Sequence, residues 1–224
     1  MRLIFSILFL FTYSFCQENK PCDDEVLFVK RIAEFYEEKE YPVVFSQGEA
    51  FLKKYPDSVY AVDLRILIGE HLLDRQMYSK SLAYYTTIQD PKKKEGSFFN
   101  ILECYYQRKD FEKIIESCRE ILGSNQSLDK ARKEKIEQTY ALALFKWILE
   151  DETRNYQINE AITVFEGLKG SSYDLVAKEH LDYLYTQKKA FKASANLYLE
   201  LASLIEEKKE DYLFLAAEQA RKFD

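Results

Sequence analysis

The sequence predicts an all-α protein, and three observations support this fold class. The chain of 224 residues contains only six glycines and four prolines, while aromatic residues make up 15% of it. Long helices joined by short connections need few such turn residues, whereas strands joined by tight hairpins need many. The third observation is a pattern of bulky and small residues that recurs about every 34 residues, a period typical of paired helices.

The charge balance argues against a nucleic-acid partner. The formal net charge is −6, so the protein repels phosphate backbones. The basic clusters at Lys92–Lys94 and Lys130–Lys135 are short and have acidic neighbours. We interpret both clusters as solvated ends of helices.

The first 16 residues have the pattern of a signal peptide. Arg2 and the terminal amine are positive, residues 3–11 are apolar, and the chain becomes polar at Gln17. An apolar run of this length is far shorter than the roughly 20 residues of a membrane-spanning helix. We therefore predict an exported chain with a short linker at 17–24; a retained membrane anchor is the other interpretation.

The processing of this signal has two open interpretations. Small residues at Thr12 and Ser14, or at Ser14 and Cys16, suit ordinary cleavage and secretion. Cys16 also resembles the acylated cysteine of bacterial lipoproteins, which would attach the protein to a membrane. Phe15 departs from that resemblance, because a lipoprotein signal has Gly, Ala or Ser directly before the cysteine.

The remaining cysteines do not have the spacing of a zinc site. Cys22, Cys104 and Cys118 form no Cys-x-x-Cys pair and have no histidine at ligand spacing. An oxidising compartment would permit a bridge between Cys104 and Cys118. The alternative is that both are buried thiols that pack as small apolar side chains.

An internal repeat becomes visible when the chain is aligned on the bulky residue that follows each polar break. Successive aligned residues are separated by 37, 33, 47 and 33 positions. The long step coincides with the polar segment 123–135, which we interpret as an insertion. The aligned residues are Tyr41, Tyr78, Phe111, Ile158 and Phe191.

Two further positions repeat with each aligned residue. Three residues later stands a small or apolar residue, and seven later a mostly bulky one, as at Ser81 and Tyr85. In a helical hairpin the small residue lets two backbones approach while the bulky ones fill the space beside it. Gly69 fits this interpretation, because a glycine inside a helix costs about 1 kcal/mol relative to alanine. We predict that close packing against Ser81 requires it.

This pattern resembles the tetratricopeptide repeat. The residues that carry the resemblance are Ile68-Gly69, Tyr78, Ser81, Tyr85, and Pro56 and Pro91 at the ends of second helices. The fourth repeat departs from it, with Ile158 in place of an aromatic residue and Glu152 in place of an apolar one.

The resemblance implies a right-handed superhelical α-solenoid in one domain, 25–224. It would contain five hairpins and a C-terminal capping helix, because the ends of repeat arrays need a cap. The expected hairpins lie near 25–57, 58–91, 95–123, 131–170 and 172–207, with the cap at 209–223.

The resemblance also implies a partner-binding groove on the concave wall. The wall-facing positions are apolar, aromatic and acidic, which favours a partner with basic and apolar side chains. The family members that clamp a carboxylate have Lys and Asn where this chain has Val29 and Ala33. The wall-facing positions are Val29, Ala33, Tyr36, Ile66, Glu70, Leu73, Asp74, Phe99, Glu103 and Tyr106.

The predicted function is therefore non-enzymatic binding of a protein or peptide. His71 and His180 lack the spacing of a metal or catalytic motif, and we expect no cofactor and no metal. Within the family the chain is most similar to exported members of the Gram-negative envelope, which places it in the periplasm or on the periplasmic face of the outer membrane. These members act in β-barrel assembly or in the Tol-Pal system. The alternative is a structural subunit that assembles through its convex or terminal surfaces.

Overall fold

The computed structural model describes residues 22–124 and 127–222, and this part of the chain consists of helices and the turns between them, without strands. The all-α prediction is confirmed. The chain divides into two compact units, Met1–Arg108 and Lys109–Asp224. The predicted signal peptide, with Cys16, lies outside the described residues.

The described part of the first unit contains six helices. They are α1 (Asp23–Glu37), α2 (Tyr41–Lys54), α3 (Ala61–Asp74), α4 (Tyr78–Thr86), α5 (Pro91–Gly96) and α6 (Phe98–Gln107). One buried cluster joins α1 and α2 to the start of α3, around Phe51. A second joins α4 and α6, around Tyr85.

The described part of the second unit contains six α-helices and two short 3₁₀ helices. The α-helices are α7 (Phe111–Gly123), α8 (Lys130–Glu150), α9 (Ile158–Gly167), α10 (Asp174–Gln187), α11 (Phe191–Leu204) and α12 (Lys209–Ala220). The 3₁₀ helices are Glu152–Gln157 and Glu206–Lys208.

The repeat alignment coincides with the helix boundaries. Each of the five aligned residues is the first residue of a helix, namely of α2, α4, α7, α9 and α11. The residues three and seven positions later are buried in every case. These buried residues are Val44, Gly48, Ser81, Tyr85, Ile114, Cys118, Ala161, Phe165, Ser194 and Tyr198.

A left-handed residue stands two positions before four of the five aligned residues. These residues are Lys39, Gln76, Lys109 and Lys189, with φ between 57° and 62°. At three of these turns, the N–H of the residue after the left-handed one donates a hydrogen bond at 2.8–2.9 Å. The acceptor is the backbone carbonyl of the residue six positions before the aligned one. This is the Schellman ending of a helix, in which a left-handed residue lets the last carbonyls find donors. The three acceptors are Phe35, Leu72 and Tyr185.

The fourth repeat is built differently. The 3₁₀ helix Glu152–Gln157 leads directly into Ile158, and Asp151 caps it by accepting from the Thr153 N–H at 2.9 Å. The segment interpreted as an insertion is partly helical. Asp129 caps α8 by accepting from the Arg132 N–H at 2.9 Å, so residues 130–135 form its first turns.

The repeat pattern predicted that Pro91 ends the second helix of a hairpin, and this prediction is wrong. Helix α4 already ends at Thr86, and Pro91 instead begins α5. Asp90 caps α5 by accepting from the Lys93 N–H at 2.8 Å. A proline at the first helical position suits this role, because its missing N–H would have no partner there.

The close packing predicted at Gly69 is present, with an additional partner. The Ser81 hydroxyl donates to the Gly69 carbonyl at 2.7 Å, and both residues are buried. The ring of Tyr85 is the group that requires glycine, because a Cβ on Gly69 would lie 2.9 Å from two of its atoms. The glycine therefore makes room for the bulky residue of the same repeat.

Cys104 and Cys118 are free buried thiols, so the buried-thiol interpretation is confirmed and the disulfide is wrong. The Cys104 thiol donates to the Ser81 hydroxyl at 3.5 Å. Burial raises the pKa of the Cys118 thiol to about 12. A neutral, inaccessible thiol is chemically inert.

The left-handed turns allow a simple test of the turn geometry. Glycine at Lys39, Gln76 or Lys189 is expected to increase the free energy of unfolding by about 0.5–1 kcal/mol per site, because a side chain with positive φ is strained and glycine is not. Urea unfolding of each variant measures the change. Lys30→Gly, at an exposed position inside α1, is the control and should cost about 1 kcal/mol. Destabilisation at all three turns would contradict this account.

Candidate binding cleft

The first unit contains a cleft of about 330 Å³ between α1, α2 and α3. Helix α1 contributes Tyr36 and α2 begins with Tyr41, while α3 contributes most of the polar side chains. The residues that line the cleft are Tyr36, Tyr41, Val44, Phe45, Leu67, Ile68, Glu70, His71, Asp74 and Arg75.

The left-handed turn at Lys39 places two tyrosines side by side. Tyr36 stands in the last turn of α1 and Tyr41 opens α2, and their rings meet edge to face at 5.8 Å between centroids. The other side of the aromatic wall comes from His71, whose ring stacks on Tyr41 at 5.5 Å. Tyr41 is 36% exposed, so this wall is accessible to a ligand.

Two carboxylates lie in the same cleft. Glu70 and Asp74 are four residues apart on α3, a spacing that places them on one helix face. Among the residues that the structure describes, neither carboxylate has a hydrogen bond or an ion pair with another side chain. Burial, together with the charge of Asp74, raises the pKa of Glu70. Glu70 is therefore a half-buried carboxyl group without a partner, and the exposed Asp74 lies one helical turn away.

The same surroundings shift the pKa values of His71 and Tyr36. Burial lowers the pKa of His71, and Arg75 lowers it further, while Asp74 opposes the shift. Burial raises the pKa of Tyr36, and Tyr41, Glu70 and Asp74 add to this effect. Both shifts favour the uncharged forms of the His71 and Tyr36 rings. Neutral aromatic faces beside carboxylates are suited to holding a cation.

The cleft contains three of the ten residues predicted for the groove, Tyr36, Glu70 and Asp74. Two others, Ile66 and Leu73, are half-buried and pack against the cluster around Tyr85.

The remaining five predicted residues have other surroundings. Val29 is 7% exposed and belongs to the hydrophobic core of the first unit, while Ala33 is half-buried. On α6, Phe99 is half-buried against Phe98, and Tyr106 is exposed. Glu103, also exposed, accepts a hydrogen bond from Gln107. The structure does not bring these five into the cleft.

The sequence-based prediction missed Tyr41, His71 and Arg75. The sequence identifies Tyr41 only as the aligned residue of the first repeat, and His71 only as a histidine without the spacing of a metal or catalytic motif. The available signal was the pair of doublets Glu70-His71 and Asp74-Arg75, which are four residues apart and therefore share a helix face.

The polar clusters of the second unit are internally paired and serve packing. The Arg119 side chain contacts the Glu160 carboxylate at 2.6 Å and the Tyr140 hydroxyl at 2.8 Å, which joins α7, α8 and α9. Burial, with the Glu160 hydrogen bond, raises the pKa of Tyr140 to about 12. Lys178, 7% exposed, contacts Asp174 at 2.7 Å. These charges have partners, unlike those of the cleft.

Other site types are not visible in the described part of the chain. Residues 22–124 and 127–222 contain no helix that combines the length and apolarity of a membrane span. The same residues contain no group of three or more potential metal ligands. A comparison with known protein families and with curated proteins found no match.

Proposed function

We propose that this chain is a non-enzymatic, tetratricopeptide-type scaffold of the bacterial cell envelope. It binds a partner protein or peptide in the groove of its first three hairpins, with the cleft of α1, α2 and α3 at the centre. The proposal includes export through the signal at 1–16, with or without a lipid on Cys16. Its envelope role is in outer-membrane protein assembly or envelope maintenance.

The unpaired carboxylates of the cleft carry this proposal. Burying a charge without a partner costs stability, so such a group is seldom retained for the fold alone. Residues that break a local rule of stability concentrate at functional sites. Glu70, which is half-buried, fits that description, while Asp74 is exposed one helical turn away and adds its charge to the same site. A basic partner would supply the missing counter-charge.

The repeated backbone features support the family assignment. Left-handed residues stand at the same position in four of the five repeats. The small and bulky positions that follow them are buried in all five repeats. Stacked units of this kind leave one helix face of each hairpin free for a partner, which is how repeat proteins build extended binding surfaces.

One observation favours the alternative, a structural subunit that assembles through its terminal surface. Phe214 is 65% exposed and Leu213 is 44% exposed on α12, the last helix. Exposed apolar residues on an end helix are typical of a contact with another chain.

Selection of displayed peptides against the full chain tests the proposed function. We expect the selected peptides to combine basic and apolar residues. The charge-reversed variant Glu70→Lys/Asp74→Lys should bind them at least tenfold more weakly, because attraction between the carboxylates and the basic peptide is replaced by repulsion. Measured dissociation constants check this result.

The matched control reverses two exposed carboxylates of α7, Glu112→Lys/Glu120→Lys, which changes the net charge equally. It should leave peptide binding unchanged. Equal binding by both variants, with helical circular dichroism retained, would exclude the cleft as the partner site. A lower oligomeric state of Phe214→Ser in sedimentation would instead support the structural subunit.

A further inference from the structure

We infer that the cleft between α1, α2 and α3 binds one arginine side chain of the partner. The inference rests on the proposed function and specifies which chemical group occupies the centre of the groove. It follows from the size of the cleft, from its two carboxylates and from its aromatic wall.

The size of the cleft suits one long side chain. Its volume of about 330 Å³ lies at the lower end of the range for small-ligand sites, roughly 300–1,000 Å³. The lining includes apolar residues that are buried or half-buried, namely Val44, Leu67 and Ile68. The methylene stem of a long basic residue can pack on such residues while its charged head reaches the carboxylates.

The carboxylates distinguish a guanidinium group from an ammonium group. Glu70 and Asp74 are one helical turn apart, and neither has a partner among the described residues. A guanidinium group carries five N–H donors in a planar fork and can donate to two carboxylates at once. An ammonium group is a compact point charge and is more strongly hydrated, so it gains less from this arrangement.

The aromatic wall favours the same group. Tyr41 and His71 are stacked and Tyr36 meets Tyr41 edge to face, which forms a neutral surface beside the two carboxylates. A planar guanidinium group stacks on such faces and gains cation–π attraction. Arg75 is the one basic side chain among the described lining residues besides His71, and it makes no ion pair with Glu70 or Asp74 there. The site is therefore not already neutralised by the chain itself.

The experiment compares peptides that differ only in the proposed group. A selected peptide is synthesised with its arginine, with lysine and with citrulline, which keeps the shape but not the charge. Titration calorimetry with the full chain should give at least a tenfold loss for citrulline and a smaller loss for lysine. N-acetylarginine amide, titrated alone, should shift the NMR signals of Tyr36, Tyr41 and His71.

Glu70→Gln is the matching change on the protein, and we expect it to weaken the arginine peptide at least tenfold. The same substitution should stabilise the fold. A carboxyl whose pKa is raised on folding contributes stability at low pH that is lost as the pH rises through its folded pKa. Removing this charge at pH 7 should therefore raise the melting temperature, so lost binding cannot be attributed to unfolding. Glu37→Gln, exposed at the end of α1, is the control and should leave binding unchanged.

The affinity should also fall as the pH is lowered, because burial beside Asp74 raises the pKa of Glu70, and this carboxylate therefore takes up a proton at a higher pH than an ordinary glutamate does. The other titratable or charged groups that face the site are Tyr36 of α1, Tyr41 of α2, His71 and Asp74 of α3, and Arg75, which directly follows α3. The Glu70→Gln variant should show a flatter pH profile.

The outcomes separate this inference from the proposed function. Equal affinity of the arginine and citrulline peptides would overturn the arginine site, while the proposed function would stand if Glu70→Lys/Asp74→Lys still abolished peptide binding. Specific NMR shifts with N-acetylarginine amide, in a protein that selects no peptide, would support the arginine site and overturn the proposed function. Unchanged arginine binding by Glu70→Gln would also overturn the inference.

Discussion

Replacement of Gly69 by alanine is expected to destabilise the protein by about 1–3 kcal/mol, although alanine is the better helix former by about 1 kcal/mol. A Cβ at this position would lie 2.9 Å from two ring atoms of Tyr85. The ring is rigid and fully buried, and the Ser81 hydroxyl holds the backbone of Gly69 in place at 2.7 Å. Urea or thermal unfolding measures the loss.

The control for this prediction is the same substitution at a glycine with free space. Apart from its chain neighbours and the backbone of its own helix, Gly167 has no atom within 4 Å of its potential Cβ, so Gly167→Ala should be neutral or stabilise by up to about 1 kcal/mol. In a Tyr85→Leu background the penalty of Gly69→Ala should shrink, because residues in contact are energetically coupled. An equal change in stability at Gly69 and Gly167 would show that the contact with Tyr85 does not cause the destabilisation.

We expect the largest loss of stability when the bulky side chain seven residues after an aligned residue is replaced by alanine. Phe165→Ala and Tyr85→Ala are each expected to cost about 3–5 kcal/mol, because both rings are fully buried and their removal leaves a cavity. The Tyr85 variant also removes the acceptor of the Asn100 side chain, which donates to its hydroxyl at 3.1 Å.

A domain is typically stable by only 5–15 kcal/mol, so either truncation should shift the denaturation midpoint strongly. Tyr156→Ala, at a side chain that is 70% exposed, is the matched aromatic control and should cost less than about 0.5 kcal/mol. A cost below about 1.5 kcal/mol for Phe165→Ala would mean that this repeated position does not support the core.

The helical hairpin register could be predicted from the sequence because it depends on local side-chain size. The residues three and seven after each aligned position must be buried whenever two helices pack closely, and this leaves a pattern at a fixed period. The residues six positions before the aligned ones also have a fixed role. The backbone carbonyls of Phe35 and Leu72, for example, accept the hydrogen bonds that end their helices.

Other features of the fold could not be predicted, because one residue type serves two purposes. A proline ends a helix or begins one, and the choice at Pro91 depends on Asp90, whose side chain caps the new helix. The polar segment 123–135 was predicted in part. Its basic cluster was interpreted as the end of a helix and does form the first turns of α8, although the segment as a whole was interpreted as an insertion.

The cleft was predictable only in part. Glu70 and Asp74 follow from the family resemblance, but the wall beside them depends on the turn at Lys39, whose left-handed conformation is not evident from a lysine. That turn brings Tyr36 onto Tyr41. Val29 illustrates the opposite error of pattern reasoning, because a position expected on the wall packs in the core.

The two buried cysteines have a practical consequence for studying the chain. Cys104 belongs to the first compact unit and Cys118 to the second, and both are completely inaccessible. Burial raises the pKa of each thiol, so alkylating reagents react only after the surrounding helices open. Each unit thus carries a natural chemical reporter, and the rates of alkylation at the two sites compare the opening of one half of the molecule with that of the other.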